Sequence, residues 1–258
     1  SNKVIEGKTD CPNSEEAIHY QNISTKCIER AFIDVVKLYL ILKDEFGFKD
    51  IRIYFSGNKG FHIKVSDDSI LQLTRDERRE ITTYVMLENI DVERLFPCRG
   101  KKTGYTLFHQ NERGLRRRVL KIIIDSGLKY ERIGEYVKID CDTLKTVIEE
   151  ARVNIDPVVT MDTSRLSRFG NSLNCKSGFI VKRIDIDRFT GFNYYDYSPW
   201  TGRIKVKPLV DATLPLIDDR IALKRGEVVS MDSTTAIYLA FKGLVKIVDL
   251  KDVGVRNV

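Results

Sequence analysis

The chain has 258 residues, 42% hydrophobic and 31% charged, a balance that suits a soluble globular protein with a sizeable core. No apolar run approaches membrane-spanning length and no signal-peptide pattern is present, so a membrane partner is excluded and a cytoplasmic or nucleoid location is expected. A formal net charge of +6 favours a polyanionic partner, and five scattered cysteines (Cys11, Cys27, Cys98, Cys141, Cys175) argue against a disulfide framework.

Residues 1–22 are polar and weakly periodic. Cys11, His19 and Cys27 are a loose candidate set for a structural zinc, with unpaired thiols as the plain alternative. Ile23 to Glu45 is an amphipathic helix: Ser24 can cap it, Ile23 is the staple, and Ile28, Ala31, Phe32, Val35, Tyr39 and Leu42 form one core stripe. Gly47 ends it. Residues 51–65 then alternate (Ile51, Ile53, Phe55; Phe61, Ile63, Val65) around a Ser-Gly-Asn-Lys-Gly turn, which predicts a β-hairpin. A Gly-rich turn lets backbone N–H groups and Ser56 approach an anion, and His62 can donate to a phosphate. By itself the pattern is of moderate specificity, because strand histidines are commonly structural.

Thr74 to Glu77 is a capping-box pattern that opens a helix to about Glu88. From Asp91 to Gln110 the chain is irregular and basic, with Arg99, Lys101 and Lys102 beside Tyr105 and Phe108. Arg113 to Arg118 then opens a helix through Ile124. Basic side chains interleaved with aromatics can track a phosphate backbone, so Arg113, Arg116 and Arg117 are candidates for template contact; a solvated helical face explains them equally well. Val137 to Asp142 reads as a strand and Thr143 to Ala151 as a helix.

The stretch from Asp156 to Phe179 carries the most chemistry. A β-branched run, Val158, Val159 and Thr160, is expected to form a strand that ends at a carboxylate, Asp162. Arg165, Arg168 and Lys176 follow on a turn-rich segment with Gly170, Asn171 and Gly178. A carboxylate can hold Mg²⁺ or Mn²⁺ through hard oxygen while cations neutralise phosphate oxygens. The bland reading is a strand, a polar loop and solvated charges. Beyond it come Phe179–Ile184, an aromatic loop over Phe192–Trp200 expected to cover a sheet edge, and strands near Ile204–Val206. The LKRGE turn (Leu223–Glu227), a short helix over Thr234–Leu239 and a closing strand over Leu244–Val248 complete the chain. One compact α/β (α+β) unit with an insertion packed on it at about 75–155 is the simplest organisation.

SGNKGFHIKV resembles the SGxxGxH motif of the archaeal and eukaryotic primase superfamily. VVTMDTSRLSRFGNSLNCKSGFIVKR resembles its later motif, an Asp followed by an RLxRxPxSLHxKTG-like run, and fits the small catalytic subunit of DNA primase best. Weaker similarity runs from about Cys11 past Glu227. The resemblance implies a core of mixed sheet flanked by helices with a helix-rich inserted subdomain, and synthesis of short primers on single-stranded DNA by nucleotidyl transfer from nucleoside triphosphates with Mg²⁺ or Mn²⁺. It makes Asp162 the catalytic carboxylate and a metal ligand. It places Ser56, Gly57, Lys59, His62, Arg168, Asn174 and Lys176 on the nucleotide, and leaves Arg165 to order the turn. It also implies a structural zinc near the start of the chain and a large regulatory subunit with an iron–sulfur cluster as partner.

The chain departs from the family pattern in places. No Asp-x-Asp precedes Ser56; Asp140/Asp142 and Asp185/Asp187 occur elsewhere and are not assigned as metal ligands. Asn174 stands where the family has histidine, so a neutral amide replaces an imidazole. Gly170 stands for proline, and the hairpin turn keeps one cation, Lys59. The gap fits a small primase subunit whose first segment lies elsewhere, or a primase-like subunit that binds nucleotide or nucleic acid without catalysis. Another polymerase of the superfamily is the third reading.

Overall fold

The computed structural model describes residues 20–100 and 104–256. Helix α1 (Thr25–Leu40) buries Ile28, Phe32 and Val35, as its stripe requires, and Ser24 accepts from the amide of Cys27 at its start. Its last turn widens to a π-helical one over Ile41–Glu45, and Gly47, at φ +76°, lets the chain leave. Strands β1 (Ile51–Phe55) and β2 (Phe61–Val65) are the expected hairpin. After the short α2 (Asp68–Leu71), helix α3 (Arg75–Met86) opens with the full capping box, Glu77 N–H to Thr74 Oγ1 and Thr74 N–H to Glu77 Oε2.

The short α4 (Val92–Leu95) precedes β3 (Tyr105–His109), α5 (Gly114–Asp125), β4 (Glu131–Ile133), β5 (Tyr136–Asp140) and α6 (Cys141–Ala151). The residues expected as a strand before Asp162 form a short helix instead, α7 (Pro157–Met161). Asp156 caps it through the amide of Val158, and Pro157 occupies its first turn, where a missing N–H costs nothing. Capping and proline geometry outweigh the β-branched run. The rest is mostly strand: β6 (Lys182–Ile184), β7 (Trp200–Pro208), β8 (Ala212–Leu216), β9 (Asp219–Leu223) and β10 (Val229–Asp232), then helix α8 (Ser233–Phe241), β11 (Val245–Asp249) and β12 (Val253–Val255).

The chain divides into two compact units. The first comprises the residues up to 35, residues 52–64 and those from 167 onward. Its smaller sheet has the order β2-β1-β6, with Ile53 opposite Ile184 and Phe55 opposite Lys182 in an antiparallel pair. A second sheet is built on β7, flanked by β10, β11 and β12, and β8 and β9 pair separately. The aromatic loop is core rather than a cover. Phe192, Tyr194 and Tyr197 pack around the fully buried Phe55, each within 6.1 Å between ring centroids.

The second unit comprises residues 36–51 and 65–166. Its sheet runs β3-β5-β4, and α5 and α6 pack over it around Phe108, Val119, Ile123, Ile139 and Val147. Glu45 holds Arg118 in a bidentate pair at 2.7 and 2.8 Å, accepts a further bond from Tyr84, and the two charged side chains are only 12% and 11% exposed. The cysteine expectation needs correction here. Cys98 and Cys141 form a disulfide, with Cα atoms 6.1 Å apart, because pairing of β3 with β5 brings together residues 43 apart in sequence. Among the described residues, no helix is long and apolar enough to cross a membrane.

Candidate functional site

Both halves of the candidate anion site lie in the first unit. The β2-β1-β6 order explains why: β6 continues directly from residues 170–181, so pairing with β1 carries that segment to the hairpin turn. Residues 171–174 and 179–181 face each other through Asn171 N–H to Val181 O (2.7 Å), Val181 N–H to Ser172 O (2.9 Å) and Asn174 N–H to Phe179 O (2.8 Å).

The hairpin turn and this loop interlock. Ser56 N–H donates to Gly60 O at 2.8 Å, and Gly60 N–H returns to Ser56 Oγ at 3.3 Å, so Ser56 closes the turn from both ends. Asn174 is 4% exposed, its Nδ2 donates to Ser56 O at 2.8 Å and its Oδ1 accepts from Lys176 N–H at 2.9 Å. Ser177 Oγ, also buried, donates to Gly57 O. Gly57 stands at φ +72°, and a Cβ there would lie 2.9 Å from Asn174 Cβ and 3.0 Å from Phe179 O, so no other residue fits without displacement. Asn174 and Gly57 therefore shape the site by packing. Each end of the Asn174 amide makes a hydrogen bond within the protein.

The cations gather beside this turn. Arg168 Nη1 lies 3.2 Å from His62 Nε2. Lys64 Nζ donates to the backbone carbonyl of Arg168 at 2.8 Å and sits 5.2 Å from the centroid of the Tyr54 ring, so it pins the segment that presents Arg168. Gly170 lies against the same ring, where a Cβ would meet Tyr54 Cε1 at 3.1 Å. Burial, and then repulsion by Arg168 and Lys64, hold the His62 imidazole below its ordinary pKa. Arg168 can donate only to a neutral His62 Nε2, and a protonated imidazole would be repelled by Arg168 and Lys64 unless an anion such as a phosphate oxygen came between them. Lys59 and Lys176 are both exposed nearby in sequence, on the turn and on the loop.

Asp162 belongs to the second unit. It ends α7, is exposed, and its Oδ1 accepts from Ser164 Oγ (2.6 Å) and Ser164 N–H (3.1 Å). Those two bonds, with Arg165 and Arg75 nearby, hold its carboxyl below the usual carboxylate range. Arg165 pairs with Asp156 at 3.6 Å, an ordering contact across the same helix. The other carboxylate pairs have local partners: Asp140 caps α6 through Thr143 N–H, Asp142 pairs with Lys145, and Asp185 accepts from Asp187 N–H and Arg188. Among the described residues, no group of three or more His, Cys, Asp or Glu could hold a metal ion.

Arg113, the N-cap of α5, differs from Arg116 and Arg117 within the helix, and these two differ from each other. Arg113 and Arg117 are exposed. Arg116 lies over Phe108, 4.7 Å from the ring centroid, and its guanidinium donates to Leu95 O, Leu107 O and Glu112. Cys27 is exposed on the first turn of α1, whereas Cys11, His19, Lys101 and Lys102 fall outside the described residues. Sequence reasoning missed the anchoring roles of Lys64 and Ser177. Alternation places Lys64 on the same strand as His62, but nothing local ties Ser177 to Gly57, 120 residues away.

Residues 10–186 match the family model described as DNA primase small subunit. The chain is 44% identical over its whole length to the DNA primase small subunit PriS of Staphylothermus marinus, covering 69% of that protein. Identity is 30% to PriS of Aeropyrum pernix over 86% of this chain and 62% of the relative. It is 33% to PriS of Saccharolobus solfataricus over 94% of this chain and 61% of the relative. The chain thus spans between 61% and 69% of the length of these three relatives.

Proposed function

The chain belongs to the DNA primase small-subunit family, and on that premise we propose that its first unit holds the triphosphate of an incoming nucleotide during primer synthesis on single-stranded DNA. The observation that carries the reading is the 3.2 Å approach of Arg168 to His62, fixed by Lys64 and by the interlocked turn. In the reaction the 3′-hydroxyl of one nucleotide attacks the α-phosphorus of the next. A new P–O bond forms, the hydroxyl proton passes to solvent, the bond to the bridging oxygen breaks, and pyrophosphate leaves with the released electron pair. Arg168, His62, Lys59 and Lys176 neutralise the phosphate oxygens, and their value rises as charge moves onto the leaving group. Ser56, Gly57 and Asn174 keep those groups in register.

A divalent cation in such a reaction lowers the pKa of the attacking hydroxyl and offsets charge on the leaving oxygens. The described residues do not complete a site for it: Asp162 offers one exposed carboxylate, and Asp140, Asp142 and Asp185 are engaged elsewhere. We assign Asp162 as the one carboxylate that the described part of this chain contributes to Mg²⁺ or Mn²⁺. Template contact is assigned to the exposed Arg113 and Arg117, and a large primase subunit is the proposed partner.

The test is nucleotide affinity, measured with a fluorescent nucleoside triphosphate. Arg168→Gln and His62→Gln should each weaken binding about tenfold, the worth of one charge-assisted hydrogen bond. Unchanged affinity in both variants would overturn the reading.

A further inference from the structure

Three lysines of the first unit come from three separate segments. Lys59 stands in the β1–β2 turn, Lys176 in the loop after Asn174, and Lys242 at the C-terminal end of α8. Two chains of contact link them. The Lys59 ammonium donates to the side-chain carbonyl of Gln21, the Tyr238 hydroxyl donates to the main-chain carbonyl of Gln21 at 3.5 Å, and Lys242 Nζ lies 5.0 Å from the centroid of the Tyr238 ring. On the other side, Gly178 follows Lys176 by two residues and abuts α8. A Cβ there would meet Ile237 Cγ2 at 2.7 Å and Phe241 Cδ2 at 3.3 Å. Tyr238 is fully buried, so the post under Lys242 is fixed.

A fold that holds ammonium groups near one another carries a standing repulsion. Lys242 feels it: burial first, then Lys59 and Lys176, push its amine below the ordinary lysine value. Ammonium groups are compact point charges, which suit tetrahedral phosphates approached from several sides. Lys59 and Lys176 are already on the nucleotide in the reading above, and Lys242 is placed to act on the same ligand.

We propose that Lys242 is a third phosphate-holding lysine of this site, acting with Lys59 and Lys176 on the terminal phosphates of the nucleotide. The inference rests on the nucleotide reading but concerns a residue outside both motifs. It deepens that reading by making the far end of the triphosphate the part that α8 recognises.

The experiment is calorimetric binding of inorganic tripolyphosphate to the whole chain, with single-stranded oligodeoxynucleotide binding measured in parallel. Lys242→Gln should weaken tripolyphosphate binding about tenfold and Lys242→Arg should keep most of it, with thermal melting showing both variants folded. If Lys242→Gln binds like the parent while Arg168→Gln is weakened, the inference fails and the nucleotide reading stands. If Lys242→Arg is as weak as Lys242→Gln, the residue acts by packing, and the inference fails. If Lys242→Gln weakens only the oligonucleotide, the lysine belongs to the template path and the inference fails. If the parent chain binds neither tripolyphosphate nor nucleotide, both readings fall together.

Discussion

The side-chain amide of Asn174 donates to the main-chain carbonyl of Ser56 across 2.8 Å, joining two segments 118 residues apart. Its own carbonyl oxygen accepts from the Lys176 amide, so one buried side chain sets the turn that closes over Gly57 and the loop that carries Lys176. The neutral amide that replaces an imidazole in the family pattern is thus a latch.

Asn174→Ala should destabilise the chain by about 1–3 kcal/mol, because the Ser56 carbonyl loses its partner in a buried place. Denaturant unfolding measures this. Nucleotide affinity should fall as well, and Asn174→Asp should be worse than Ala, since its carboxylate would face a carbonyl oxygen. Wild-type stability in Asn174→Ala would show that the latch is dispensable.

His62 gives a pH dependence with a definite sign. Its folded pKa lies below the ordinary histidine value, so in the window between the two the unfolded chain binds more protons than the folded one. Stability from this group therefore falls as pH drops through that window. Phosphate binding reverses the environment: a polyanion between His62, Arg168 and Lys64 raises the imidazole pKa, so nucleotide affinity should rise as pH falls below neutrality. Proton NMR titration of the His62 ring with and without nucleotide reads both shifts. In His62→Gln the pH slope of affinity should flatten.

Asp162→Asn should abolish template-directed nucleotide incorporation with Mg²⁺ or Mn²⁺, a loss on the order of 100-fold or more, while leaving the melting transition in place. The carboxylate is exposed and accepts its hydrogen bonds from Ser164, two residues on, so little of the fold depends on it. Retained incorporation in this variant would remove Asp162 from the reaction.

Breaking the Glu45–Arg118 pair should cost much more than an exposed ion pair. Arg118→Met leaves Glu45 buried beside Tyr84 without its cation, and a loss of about 3–5 kcal/mol is expected. The remaining carboxylate would sit against a tyrosine whose hydroxyl is already pushed up to about 12, first by burial and then by Glu45. Equilibrium unfolding followed by a probe in residues 65–166 checks it.

The arginines at the start of α5 should separate in a salt titration of single-stranded DNA binding. Arg113→Gln and Arg117→Gln should lower affinity and flatten its dependence on salt, because an exposed arginine that neutralises a phosphate releases counter-ions. Arg116→Gln should leave the slope unchanged and lower stability instead, since its guanidinium bridges Leu95, Leu107 and Glu112.

The elements legible in the sequence are those governed by neighbours. The β1–β2 hairpin follows from strict alternation around a glycine turn, α3 from the Thr74–Glu77 capping box, and α1 from one apolar stripe; each rests on contacts a few residues long. The SGNKGFH and Asp162–Lys176 motifs likewise named the residues of the candidate site. The same local rules misread Val158–Thr160, where β-branching pointed to a strand while the Asp156 cap and Pro157 start a helix. They also left Cys98 and Cys141 unpaired, although β-sheet register brings them together. Tertiary structure alone decided which polar groups are engaged: Asn174 and Ser177 turned inward on Ser56 and Gly57, and Arg116 and Arg118 turned inward on carbonyls and carboxylates. The reason is physical. A buried donor or acceptor must find a partner wherever the fold brings one, and for Asn174 and Ser177 that partner lies more than a hundred residues away along the chain.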